Sequence, residues 1–286
     1  MTHDAAFLDA ICTHPEDCAI RLIYADWLEE NGKSEQAEFI RLQMELAQMG
    51  DDDPRRPKLR VRERELLKLF WSNPFHDSVM AYEFQRGFVE CVTMTAAKFL
   101  AHGDVLFQMA PVRHVIIMRI GDLLPRLASS PLLANLTSLN LSSGGFGNVG
   151  AQALATSPFM VNLTSLNLRE NLIEDEGVKA LASSLLLANL TSLDLSVNLI
   201  GAVGAQALAC SLGLVKLRSL DLSYNGISDV GAQALASSPH LANLTLLNLS
   251  SNAIGQEGAQ ALASSPYLAK LTSLNLQNNR VDHVAV

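Results

Sequence analysis

Leucine spacing organises the chain from residue 112 onward. The stretch LTSLNL at 163–168 recurs in near copies that open at 136, 190, 217, 244 and 271, a constant step of 27 residues. Leucines recur at positions one, four and six of each copy, separated by polar residues except for Leu246 in the copy at 244, and this spacing predicts a short strand. The pair at four and six, such as Leu166 and Leu168, points to one face and into a core. Position nine is asparagine in five copies (Asn171, Asn198, Asn225, Asn252 and Asn279) and glycine in the first, Gly144. These amides are expected to tie the bend after the strand, with an interruption at Gly144. A glycine at position fifteen (Gly150, Gly177, Gly204, Gly231, Gly258) relaxes the entry to a helix of Ala and Leu. Each unit buries its apolar side only against its neighbours, so the region reads as a solenoid.

The pattern before residue 112 is different. Thr13-His14-Pro15-Glu16 has capping-box spacing and predicts a helix through Glu30, with Ile20, Ile23, Tyr24 and Trp27 on one face. Asn31-Gly32 ends it. Ser34 opens a second helix to Met49, with Phe39, Leu42 and Leu46 on a stripe, and a third covers Lys58–Trp71 before Asn73-Pro74. Tyr82–Met94 reads as a strand or hairpin, Ala96–Met109 as a helix and Val112–Met118 as a strand, together capping the first repeat.

The spacing LxxLxLxxNxL resembles the leucine-rich repeat, and the GAxALASSPxL half resembles its ribonuclease-inhibitor class. That resemblance covers about residues 112–286. It implies an α/β fold: a right-handed solenoid with a parallel sheet on the concave side, helices on the convex side, protein partners and no catalysis. RLIYADWLEENG (21–32), AEFIRLQ (37–43), FQRGFVE (84–90) and LFQMAPVR (106–113) resemble a companion domain that precedes repeat arrays in some large-genome bacteria. Tyr24, Asp26, Trp27, Glu38 and Arg41 carry that match and read as packing and ion-pair residues. The expected organisation is a helical companion domain (1–74), a strand–helix cap (75–111) and repeats (112–286).

Charge narrows the partners. The chain has 21 basic and 29 acidic residues, net −8. Residues 112–286 are nearly neutral, which argues against nucleic acid as the partner of the array. Six basic residues and one acid fall within Arg55–Arg64, and local pairing with Asp51–Asp53 and its own helix accounts for them. Four cysteines without metal or CxxC spacing point to a reduced compartment. The acidic N-terminus is unlike a signal peptide, and no apolar run approaches the length of a membrane span. The chain is therefore expected to be cytoplasmic, without a membrane partner. Triplets such as Asn162-Leu163-Thr164 recur because the repeat recurs.

Candidate chemistry is sparse. Gly145-Phe146-Gly147-Asn148-Val149-Gly150 with Glu170 has dinucleotide-fingerprint spacing, but Gly150 is the repeat's own glycine and the doubly wound context is missing. Glu174-Asp175-Glu176 is explained by the start of a helix. No catalytic residue, cofactor or metal site is expected. Positions three, five and seven of the repeats are mostly small and polar, with almost no aromatic anchors, too plain for a specific interface on their own. The departures from repetition lie at the strand ends: Arg169, Glu170, Val197, Tyr224, Asn278 and Arg280. They are the candidate partner-binding residues of an adaptor, sensor or inhibitor, with an enzyme regulator such as a GTPase activator as the alternative. The last repeat lacks a polar cap, so a homodimer through that edge is also expected.

Overall fold

The computed structural model describes residues 3–70 and 78–281. The chain divides into two compact units, residues 1–94 with 101–115, and residues 95–100 with 116–286.

The first unit begins with α1 (His3–Thr13), α2 (Cys18–Glu30), α3 (Ser34–Gln48) and α4 (Arg56–Phe70). An antiparallel hairpin of β1 (Ala81–Gln85) and β2 (Phe88–Thr95) follows. Thr13 ends α1 and does not form the expected capping box. Asp17 caps α2 instead, its carboxylate accepting from the Ala19 N–H at 2.8 Å and the Ile20 N–H at 3.4 Å. The nearer ionised acceptor wins over the Thr13 hydroxyl. The buried face of α2 is also turned from the expected one: Arg21, Tyr24, Ala25 and Leu28 are buried, and Ile23 is 56% exposed.

Arg21 causes that turn. It is fully buried, 2.9 Å from the carboxylate of Glu90, and donates to the carbonyls of Pro15 and Arg86. Burial lowers its pKa, opposed first by Glu90. Its guanidinium lies 5.2 Å from the Phe88 ring. Residues quoted for the companion domain pack and pair as expected. Tyr24 donates to Asp4, Arg41 bridges Asp26 and Glu29, and Glu38 meets Arg62 at 2.7 and 2.8 Å. Phe39, Leu42 and Leu46 join Leu66 in one apolar cluster. The Asn73-Pro74 helix stop lies outside the described residues.

Helix α5 (Ala96–Met109) and strand β3 (His114–Met118) straddle the division between the units. The second unit then alternates short strands with helices. Its strands are β4 (Ser138–Asn140), β5 (Ser165–Asn167), β6 (Ser192–Asp194), β7 (Ser219–Asp221), β8 (Leu246–Asn248) and β9 (Ser273–Asn275), all parallel. The register is constant: Leu139, Leu166, Leu193, Leu220, Leu247 and Leu274 stand opposite one another. Between them come α6 (Leu124–Ala128), α7 (Gly147–Ala155), α8 (Asp175–Ser183), α9 (Ala202–Ala209), α10 (Ser228–Ala236) and α11 (Gln256–Ala263). Leucines at positions one, four and six are at most 2% exposed from Leu136 through Leu249, so the core is a column of leucine between sheet and helices.

Polar ladders lock the repeats together. The Asn198 amide oxygen accepts from the N–H groups of Asn171 and Ile173 in the preceding repeat, and its nitrogen reaches the carbonyls of Leu168, Leu195 and Ser196. Asn252 and Asn279 repeat most of this pattern. At Gly144 the ladder ends, because a Cβ there would meet Asn171, Ile120 and Phe146 at 2.9 Å. A second ladder runs on the other side. Buried Ser157, Ser184 and Ser211 donate to Ala128, Ala155 and Ala182, each 29 residues back, and Ser238 donates to Ala209. Asn162 and Thr164 likewise donate to the preceding repeat, which gives that triplet a structural role.

The glycines at position fifteen serve close approach and not a relaxed helix entry. A Cβ at Gly231 would lie 2.6 Å from Ile227 and 3.0 Å from the Ala205 methyl. Helix starts are capped from the neighbouring repeat: Asp175 accepts from the N–H groups of Gly201 and Gly204, and Asp229 from those of Gly255 and Gly258. These carboxylates at helix N-termini explain one member of the acidic triplet directly.

Candidate functional site

Each strand ends in the same local chemistry. The position-five side chain accepts the N–H of position seven, as Asn167 does from Arg169 at 2.9 Å and Asp221 from Ser223 at 2.9 Å. This short polar loop turns the chain out of the strand. Position eight then adopts left-handed backbone in all six copies: Ser143, Glu170, Val197, Tyr224, Ser251 and Asn278 have φ between 55° and 57°. Position nine turns its amide inward to the asparagine ladder. Position eight is thereby held outward, and its N–H donates to the position-seven carbonyl of the next repeat, for example Val197 to Ser223 and Tyr224 to Ser250.

This geometry explains why the sequence departures fall where they do. Four of the six candidates, Glu170, Val197, Tyr224 and Asn278, share position eight; Arg169 holds position seven and Arg280 position ten. Glu170, Val197 and Tyr224 occupy consecutive rungs roughly 4.8 Å apart, and Asn278 stands two rungs further on. Arg169, Glu170, Tyr224, Asn278 and Arg280 are exposed, whereas Val197 is half-buried. Glu170 accepts from the Ser143 hydroxyl at 2.7 Å, while Arg169 donates to Ser196 at 3.0 Å. The two charges lean in opposite directions along the array and do not pair with each other. Tyr224 is 57% exposed.

Two contributors escaped the sequence reading. Leu172 and Leu199, at position ten, are 60% and 57% exposed beside these residues. The signal was the NLI triplet at 171–173 and 198–200, whose middle residue faces away from the core that takes its isoleucine. Together the edge offers an arginine, a carboxylate, a tyrosine and two leucines, and the arginine and tyrosine are of the types enriched at recognition hot spots.

The backbone at Val197 is costly, since a β-branched side chain disfavours positive φ by about 1–2 kcal/mol. Replacing Val197 with Asn, the residue the repeat itself uses at 278, is expected to stabilise the protein by about 1 kcal/mol. Chemical denaturation checks this; an unchanged or lower midpoint would mean that valine packing outweighs backbone strain.

Gly147 donates its N–H to the Asn171 carbonyl and is part of the repeat interface. Among the described residues no group of three or more His, Cys, Asp or Glu side chains could hold a metal ion, and no helix is long and apolar enough to cross a membrane. All four cysteines are free, and burial, reinforced by Asp9, raises the Cys12 thiol to about 11.

Strand, asparagine turn, helix and constant register together define a leucine-rich-repeat solenoid. The family model described as leucine rich repeat matches residues 188–254, and a second of the same description matches 133–155 and 160–182. Among solved structures, an internalin (inlF) from Listeria monocytogenes is 22% identical over 60% of this chain and 50% of its own, with a TM-score of 0.38. An internalin C2 from the same organism is 22% identical over 69% of this chain and 75% of its own, with a TM-score of 0.44. This chain thus spans half the length of the first of these. The curated proteins contain no match to it.

Proposed function

We propose that this protein is a non-catalytic protein–protein recognition module, an adaptor, sensor or inhibitor, that binds its partner along the strand-end edge of the repeats. One observation carries the reading: left-handed backbone at position eight of every repeat holds Glu170 and Tyr224 outward, and Arg169 at position seven and Leu172 and Leu199 at position ten stand exposed beside them on neighbouring rungs. A rigid scaffold that holds exposed aromatic, basic and apolar side chains in a row is suited to binding at little ordering cost. Asn278 and Arg280 extend the same edge. In this reading residues 1–74 act as the companion domain, the helix that follows each of the strands β4 to β8 supports the ribonuclease-inhibitor class, and the free cysteines fit a cytoplasmic bacterial protein. A second copy joining at the last repeat remains a further proposal, tested by light scattering at high concentration.

The experiment compares wild type with a triple variant, Arg169→Ala, Glu170→Ala and Tyr224→Ala, in capture from native lysate. A protein retained by wild type and reduced at least tenfold with the variant is the expected result. Equal capture by both would move the site off this edge.

A further inference from the structure

The strongest feature left unused by that reading is a groove within the first unit. Arg56, Arg60, Arg64 and Lys68 recur every fourth residue along α4 and therefore share one face. That face lines two concavities of about 400 and 640 Å³, which have Gln43, Arg60, Phe84 and Gln85 in common and so run together between α4 and β1. Tyr82 and Phe84 of β1 form the facing wall, edge-on to each other at 5.9 Å.

Arg62 pairs with Glu38 and Glu65. In the stripe, Arg56 donates to the Leu46 and Met49 carbonyls and pairs with Asp51, and Arg60 pairs with Glu63. Arg64 makes only a backbone contact among the described residues, to the Arg60 carbonyl. Among the described residues neither Arg64 nor Lys68 meets a carboxylate, and both are exposed. Glu63, 7% exposed and bound by both Gln43 and Arg60, offsets the charge of Arg60 and leaves Arg64 and Lys68 as the groove's cations that meet no carboxylate among the described residues. Glu83 stands on the β1 side.

We infer that this groove binds an extended protein segment in which acidic residues alternate with apolar ones. Successive positions of the basic stripe lie about 6 Å apart, four residues at a helix rise of 1.5 Å. Alternate residues of an extended chain lie about 6.7 Å apart and point to the same side. A segment of five or six residues therefore brings a carboxylate to Arg60, Arg64 and Lys68 in turn, and turns its intervening apolar residues toward Tyr82 and Phe84. A nucleic acid strand fits less well. Residues 1–74 carry 15 acidic against 10 basic groups, and exposed carboxylates such as Asp51 flank the stripe, so a long polyanion is repelled outside the groove. This site is distinct from the repeat edge and does not depend on it.

The test uses the full chain and three fluorescent probes at low ionic strength, read by anisotropy. One is a hexapeptide alternating Glu and Val, one has the same composition with its three Glu residues in a block, and one is a single-stranded hexanucleotide. The alternating peptide is expected to bind at least fivefold more tightly than the block peptide and to weaken with added salt. Arg64→Glu with Lys68→Glu should weaken it at least tenfold, with an unchanged circular dichroism spectrum and melting temperature. Equal binding of the two peptides, no loss in the variant, no binding at millimolar protein, or tighter binding of the oligonucleotide would each overturn the inference.

Discussion

Replacing Asn198 with alanine is expected to destabilise the array by about 3–5 kcal/mol. The side chain is 6% exposed, accepts two backbone N–H groups of the preceding repeat and reaches three carbonyls. Alanine leaves these groups buried without partners, at about 1–3 kcal/mol each, offset in part where water enters the gap. Asn225→Ala should cost less, because Asn225 is half-buried and accepts a single N–H, that of Ile200. Because repeats lend stability only to neighbours, the damage is local. Hydrogen exchange should quicken most at the amides of 171 and 173. A loss below about 1 kcal/mol for Asn198→Ala, or an equal loss for Asn225→Ala, would show that the asparagine ladder is not what couples the repeats.

In the first unit, Glu90→Ala is expected to cost about 3–5 kcal/mol, since it leaves Arg21 buried without its counter-charge. Arg21 is 0% and Glu90 1% exposed, and Arg86 also donates to Glu90. Removing both partners of the ion pair, as Arg21→Met with Glu90→Leu, should cost less than Glu90→Ala alone, because no unpaired charge remains. Thermal unfolding of the full chain, followed at an amide of the first unit, separates the outcomes. A double variant less stable than the single one would place the value of Arg21 in its carbonyl contacts rather than in the ion pair.

The repeats were legible because each contacts only its neighbours, so the 27-residue period alone sets strand pairing and register. Leu166 opposite Leu193 follows from counting. The asparagine ladder was legible for the same reason. The serine ladder was not: Ser157 and Ser184 precede a proline or a leucine in what reads as a loop, and nothing in the sequence marks them as buried. Left-handed backbone at position eight was hidden because Glu, Val and Tyr have no preference for it; the chain is forced there by its neighbours at five and nine. In the first unit, the first helix and the burial of Arg21 and Glu90 were missed, since a charge on a helix or strand ordinarily marks a solvated face. The Asp17 cap was passed over for a residue spacing that fitted a known motif.

The candidate residues stand out as breaks in the repetition, and the structure supplies what they share. Five of the six are exposed, and four share position eight. Val197, the sixth, is half-buried. Leu172 and Leu199 were missed because leucine in such an array is read as core by default.

Photo-crosslinking tests the central claim most directly. A photoreactive residue is placed at Tyr224, on the strand-end edge, and in a second protein at Gln233, exposed on α10 of the same repeat. With the captured partner bound, a crosslink from position 224 and none from 233 is the predicted result. A crosslink from 233 alone, or from neither while the complex is intact, would contradict recognition by this edge.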